Sequence, residues 1–375
     1  MKNTIKDNIN PGIVSNLLLL VIIVFILHTL QSVIIPILFS IIISVLLYPL
    51  CRRLENLRMT RLSASLTSLV LAVLVVLGLG YLLVSQTINI GNNAADIFSK
   101  IQGVASKLLD WASDQFNMSS YELGSEIKTR LSDSMSDMGS YLTTALGSLG
   151  NSLSSAILVP IMIFFFLYYR DFFREFFFRA FSSTPKEIIE EGLGRIYEVL
   201  KSYLVGLVTV MGIVAVLNTI GLYILGIEYA WFFGILAALL TIFPYIGIFV
   251  GSMIPALFAL ATKDSLWYAT GVIIWFQVVQ MLEGNFITPN IVGGKASLNP
   301  LVSLLSFFLG GMLFGLAGMI LALPLLAMLK VIFDIIPQTQ AYGFLLSEPE
   351  RSYLRSHRKK KKSAQEEEEK NTSGK

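Results

Sequence analysis

The chain has 375 residues, of which 54% are hydrophobic and only 14% charged, with a formal net charge of +3. An average soluble chain carries roughly 25% charged residues, and a mean hydropathy of +0.70 leaves too little polar surface to cover a soluble fold. The composition excludes a water-soluble protein and predicts an all-α, polytopic membrane protein. The single cysteine, Cys51, excludes a disulfide framework and any CxxC site. Two histidines, His28 and His357, exclude multi-histidine zinc sites, so neither metal nor cofactor is expected. The basic residues lie in loops, which gives nucleic-acid binding no support.

The first apolar run, Ile13 to Leu30, is about one bilayer of helix. A second starts at Ser32 and ends near Leu50, and no small-residue cleavage site separates them. The pair reads as an uncleaved hairpin of two membrane helices rather than a signal peptide. A third helix is predicted over Leu62 to Ser85, closing a first segment, 1–85. The loop before it holds Arg52, Arg53, Arg58 and Arg61 against one acid, Glu55, and is assigned to the cytoplasm by the positive-inside rule. The N-terminus then also lies inside.

Residues 86–152 are polar, with seven acids and four bases. Their apolar residues recur at helical spacing, as in Ile97, Ile101, Val104, Leu108 and Trp111. The segment reads as an external amphipathic helical insert, and its apolar stripes suggest a homo-oligomer that covers them. A fourth helix, Leu153 to Tyr169, returns to the cytoplasm at Arg170, Arg174 and Arg179, with phenylalanines at the interface level. Thr184, Pro185 and Glu187 form a helix start for a cytoplasmic amphipathic helix over 184–202, which leads into a fifth span, Tyr203 to Leu225.

Two later apolar runs are too long for one simple span. Tyr229 to Thr262 is interrupted around Pro244, Gly247, Gly251 and Pro255. Leu301 to Ile336 is interrupted by Gly310, Gly311, Gly315, Gly318 and Pro324. Leu266 to Leu282 forms a helix between them. About eight transmembrane helices are expected, two of them broken or re-entrant, with the transport core over 153–336. The tail, 337–375, carries nine Lys or Arg and six Glu in blocks, and is expected to be disordered and cytoplasmic.

Irregular backbone survives in a bilayer only against protein or a watery cavity, so two interrupted segments point to a substrate or gating region. Tight helix packing through small residues is the other reading of the Gly310–Gly318 stretch. Glu283 ends an almost wholly apolar helix, and an acid in or beside a span serves an ion pathway or a partner, or sits harmlessly at the interface. Gln277 and Gln280 could share a polar stripe with it, together with Asn285 and Thr288. Asn218, in the middle of the fifth span, either bonds to a neighbouring helix or lines the route. Asn299, before Pro300, is as good a helix cap as a ligand. Lys330 and Asp334, one turn apart, are expected to pair. No HExxH, GxSxG or Walker pattern occurs, which leaves enzyme chemistry and intrinsic ATP drive without a place.

The stretches PYIGIFVGSMIPAL and EGNFITPNIVGGKASLNPLVSLLSFFLGGMLFGLAGMILALPLLAMLK, with SVLLYPLCRRLE and FFLYYRDFFRE earlier, resemble the autoinducer-2 exporter family of bacterial permeases over roughly residues 13–336. The resemblance implies a transporter of about eight helices. Members of that family are linked to export of the autoinducer-2 signal, and some to sodium or lithium/proton antiport. The matching positions are Pro244, Gly247, Gly251, Pro255, Glu283, Gly284, Asn285, Pro289, Pro300, Gly310, Gly311, Gly315, Gly318 and Pro324. Where many members carry a histidine before the proline, this chain has Leu298-Asn299-Pro300-Leu301, so a proton role for that histidine does not transfer.

The expectation is a secondary permease of the bacterial inner membrane that exports a small polar solute, with both termini cytoplasmic. Glu283, Asn285, Pro289, Asn299, Pro300, Gln280 and Asn218 are its candidate pathway residues. Sodium or lithium/proton antiport, and an oligomeric pore or scaffold, are the alternatives.

Overall fold

The computed structural model describes residues 11–92, 99–101, 103, 106, 153–243, 246–292 and 298–349. The expected external helices and the charged end of the tail lie outside the described residues. The helices are α1 (Pro11–Thr29), α2 (Gln31–Asn56), α3 (Arg61–Asn92), α4 (Leu153–Tyr168), α5 (Arg170–Ala180), α6 (Lys186–Ile224), α7 (Ala230–Leu240), α8 (Ile246–Thr262) and α9 (Leu266–Leu282). A π-helical turn, Glu283–Ile287, leads from α9 into α10 (Thr288–Ile291), followed by α11 (Pro300–Ile335) and α12 (Gln340–Leu346). The chain divides into two compact units, residues 1–180 with 201–293, and residues 181–200 with 294–375.

Among the described residues four helices, α2, α3, α6 and α11, are long and apolar enough to cross a bilayer. The middle of α3 is apolar and largely exposed, with Leu74 at 59% and Val76 at 68%, as a bilayer-facing surface requires. The α1–α2 junction differs from the expected hairpin. Leu30 N–H donates to the Ile26 carbonyl, and Ile34 N–H donates to the Leu30 carbonyl. The helical ladder therefore runs through the joint, and the chain bends there instead of folding back.

In the first unit, α2, α3 and α4 pack through small residues. Cys51, Ala64, Ile163 and Leu167 form a buried core there, and Ser40, Ser65 and Ser68 are fully buried beside it. Small side chains let helix backbones approach where no hydrophobic force drives them together. Ser40 uses that closeness: its hydroxyl lies 2.6 Å from the Pro36 carbonyl and 3.2 Å from the Val159 carbonyl of α4. One end of this bundle is closed by charge. Arg170 donates from both terminal nitrogens to the two carboxylate oxygens of Glu55, at 2.9 and 2.7 Å. Its guanidinium also lies 5.3 Å from the centre of the Tyr48 ring. Arg61 pairs with Asp171 alongside. The α2–α3 loop and the start of α5 thus lie at one end of this bundle. The hydrogen bond from Arg61 holds the Asp171 carboxyl below its ordinary value of 3.8, against a smaller opposing effect of burial. A depressed carboxyl contributes above its ordinary value and is lost as pH falls through the lowered one, so this contact is at full strength throughout the neutral range.

Both overlong apolar runs turn back on themselves. α7, at 11 residues, is about 16 Å long and cannot cross ~30 Å of hydrocarbon. It pairs with α8 through a turn after Leu240, where a Cβ on Gly247 would overlap the Leu240 carbonyl oxygen, and Gly251 lies against Ala237. α11 reverses at Gly315, whose φ of 61° and ψ of −143° break the helix. Its 36-residue length therefore overstates the distance it spans. Gly310 and Gly318 face each other across this turn, and a Cβ on either would meet the other's backbone. Pro255 and Pro324 were expected among the interruptions, yet both are buried inside limbs of regular helix. The expected cytoplasmic helix over 184–202 and the fifth span are one continuous 39-residue helix, α6. The tail begins later than expected, because α12 packs on the end of α11 with Gly343 and Leu346 buried.

Two outcomes follow for stability in detergent, read by fluorescence-detected thermal unfolding. Gly318→Ala forces backbone apart at the tightest point of the α11 turn and is expected to cost about 1–3 kcal/mol. Arg170→Ala strands the Glu55 carboxylate and is expected to cost about 2 kcal/mol. The exchanged pair Glu55→Arg with Arg170→Glu should recover part of that loss, and no recovery would show that packing of Arg170, not its pairing, carries the effect.

Candidate functional site

The C-terminal end of α9 carries a second cluster of polar side chains in the first unit. α9 buries Ala269, Val272, Phe276 and Val279 along one stripe, and Glu283 is next on that spacing. The helix does not continue as an α-helix. Thr288 N–H donates to the Glu283 carbonyl, an i+5 bond that widens the turn. The wider turn stacks Thr288 over Glu283, so the Thr288 hydroxyl reaches carboxylate oxygen Oε1. Gln280, one turn before, donates to Oε2 at 2.8 Å. Both carboxylate oxygens are therefore held by neutral donors, and no basic side chain among the described residues pairs with Glu283. π-turns of this kind are frequent at functional sites.

The expected polar stripe is partly assembled. Gln280 and Thr288 join Glu283, whereas Gln277 is exposed on another side of α9. Asn285 turns to its own backbone, donating to the Met281 carbonyl at 2.8 Å, and Asn290 does the same to Phe286. Pro289 is exposed in the first turn of α10. Pro244 lies outside the described residues.

α6 runs antiparallel to this strip and forms a seam with it. Val292 lies against Gly206. Val210 and Val214 share a core with Val279 of α9 and Ala238 of α7, with Ile287 and Ile291 packed against it. Farther along, Trp275 donates its indole N–H to the Leu217 carbonyl at 3.1 Å, and its ring occupies the space that a side chain at Gly221 would need. A second core of Leu222, Phe233, Phe258, Val272 and their neighbours closes the seam beyond that point. Asn218 lies on the seam between the two cores, 3% exposed. Its Oδ1 is buried and accepts from no group among the described residues.

In the second unit, Asn299 caps α11 by accepting from Leu301 N–H at 3.0 Å, and Pro300 is the first helical residue. Asn299 N–H also donates to the Leu346 carbonyl, which ties α12 to the start of α11. Lys330 and Asp334 pair at 2.7 Å, as their spacing predicted. They border a cavity of about 380 Å³ that is also lined by Arg195, Glu198, Val199 and Val331. Nothing in the sequence singled out this cavity, because its two walls are more than a hundred residues apart. Among the described residues no three His, Cys, Asp or Glu side chains come together as a metal site.

The model of the AI-2E family transporter matches residues 17–338. YrrI of Bacillus subtilis, which carries the name Putative transport protein, is 34% identical over 151 residues, 40% of this chain and 42% of its own length. A protein of the same designation in Haemophilus influenzae is 31% identical over 173 residues, 45% of this chain and 49% of its own. TqsA of Escherichia coli, named AI-2 transport protein, is 29% identical over 124 residues, 33% of this chain and 36% of its own. These matches span less than half the length of each relative. The match to the family, in contrast, takes in α2 to α11 with both helical turns and the Glu283 strip, and the chain belongs to the AI-2E family of transporters.

Proposed function

We propose that this membrane permease moves a small polar solute outward across a bacterial inner membrane, with both termini in the cytoplasm. The solute would follow the seam between α6, α7 and the α9–π–α10 strip. The observation that carries this reading is Glu283, a half-buried carboxylate in line with the buried stripe of an apolar helix, oriented by Gln280 and Thr288 and paired with no basic side chain among the described residues. Acids are costly at membrane depth and mark substrate or ion routes. A carboxylate held by neutral donors can engage a solute group, a cation or a proton. TqsA, whose name states autoinducer-2 transport, supports a small organic solute as the first candidate. The α7–α8 and α11 turns, with their glycine contacts, suit segments that repack during alternating access.

The same observation favours a second reading. A carboxylate with no basic partner among the described residues also suits exchange of sodium or lithium for protons. One assay separates the two. Proteoliposomes with an imposed pH gradient and a trapped pH dye receive sodium, lithium and autoinducer-2 in turn. A cation-triggered proton flux identifies antiport, whereas gradient-dependent movement of the organic signal identifies export. In either case Glu283→Gln is expected to abolish flux while insertion and oligomer size stay unchanged, and wild-type flux in that variant would end the Glu283 assignment. Thr288→Val removes one charge-assisted hydrogen bond, of about 1.5–3 kcal/mol, and should slow flux by about tenfold or more in the same assay.

A further inference from the structure

α6 presents to the seam Val210, Val214, Asn218 and Leu222, spaced one turn apart. Three are apolar and belong to the two cores on either side. The fourth is a carboxamide whose Oδ1 is buried without a donor among the described residues. Other buried polar residues of this unit avoid that condition by a simple route. Ser40, Ser44, Ser68 and Ser252 each donate a hydroxyl hydrogen to a carbonyl three or four residues back on the same helix. A carboxamide oxygen can only accept, and the N–H groups of a helix interior are already used in the ladder. The indole N–H that reaches this part of α6 goes to the Leu217 carbonyl, not to Asn218.

We infer that Asn218 is a second polar station on the solute route, and that its Oδ1 accepts a hydrogen bond from a neutral hydroxyl group, carried either by a small uncharged solute or by water. This rests on the seam reading above. The pairing of Trp275 with Leu217 and of Val279 with Val210 and Val214 puts Asn218 about two helical turns, ~11 Å, beyond the Glu283 end. A cation is the wrong occupant at this depth. No ionisable side chain is among the buried polar residues described, and one amide oxygen does not replace an ion's hydration shell. The packing around the station is tight: a Cβ on Gly234 of α7 would overlap Thr219 and crowd the Ala215 carbonyl. The hydroxyl therefore reaches Oδ1 when α7 separates from α6.

The test uses the full chain in proteoliposomes and stopped-flow light scattering, with erythritol as the uncharged hydroxyl probe, a sucrose jump for water, and a trapped sodium-sensitive dye for the cation. Wild type is expected to admit erythritol or water several-fold faster than empty liposomes. Asn218→Leu should remove that gain and raise the thermal midpoint by a few degrees, because it deletes a buried acceptor that has no partner. Asn218→Ser, which keeps a small acceptor, should give an intermediate rate and guards against a folding artefact. Dependence of erythritol entry on Asn218 assigns the station to the solute, and dependence of water alone assigns it to water. The inference is overturned if Asn218→Leu lowers the midpoint, if it leaves both rates unchanged, if sodium flux alone depends on it, or if wild type passes neither hydroxyl probe. Glu283→Gln run in parallel keeps the two ideas apart. Hydroxyl flux lost in Glu283→Gln but intact in Asn218→Leu removes the station alone, whereas flux untouched by both variants removes the seam.

Discussion

Inside a bilayer, a chain that changes direction must keep its backbone amides and carbonyls paired without help from water. That constraint shapes both re-entrant turns of this protein. α7 and α8 close at the turn after Leu240, where the missing Cβ of Gly247 lets one limb meet the backbone of the other. α11 reverses on a single residue, Gly315, and the pair Gly310 and Gly318 brings its limbs to backbone contact. Such turns need little irregular backbone, and Gly315 is where α11 departs from helical geometry. The Glu283 strip meets the same demand differently, since its widened turn stays hydrogen-bonded while changing which side chains lie over one another.

The charged closure of α2, α3 and α4 complements those turns. A bidentate Arg170–Glu55 contact with side chains about one-fifth exposed is stronger than an open surface pair, because fixed geometry and two hydrogen bonds offset the loss of water. It joins residues 115 apart. The serines and alanines between those helices bring them close, and the ion pairs at one end set their register.

Much of this was legible from residue order, and the failures have physical causes. Apolar runs too long for one span revealed the two re-entrant segments, and Lys330 with Asp334 was readable from helical spacing. Gly315 could not be told from Gly310, Gly311 or Gly318, because a turn and a close helix contact both demand a missing side chain. Pro255 and Pro324 looked like breaks, yet a buried proline in a membrane helix is tolerated where neighbouring groups compensate. Arg170 and Glu55 were read only as markers of sidedness, since their pairing is made by the packing of three helices. At the candidate site, Gln280 was reachable by counting turns. Thr288 was placed on the same polar stripe, but its contact with the carboxylate depends on the widened helix, since no spacing rule for a regular helix places residue i+5 over residue i. Asn218 was visible as a polar residue in a span, but the want of a donor to its Oδ1 among the described residues depends on how the neighbouring helices cover it.

The widened turn has a further meaning for the length of the chain. A π-turn amounts to one residue inserted into an α-helix, and here the surplus residue lies within Glu283–Ile287. A chain one residue shorter at this point would make an uninterrupted helix from α9 through α10, with every backbone bond intact. Thr288 would then stand four residues after Glu283, which in a regular helix is again a neighbouring position on the same face. Wound as a regular helix at its present length, the segment would instead place Thr288 about 140° round the axis from Glu283, at 3.6 residues per turn. The widened turn thus absorbs the extra residue and keeps the donor above the acid.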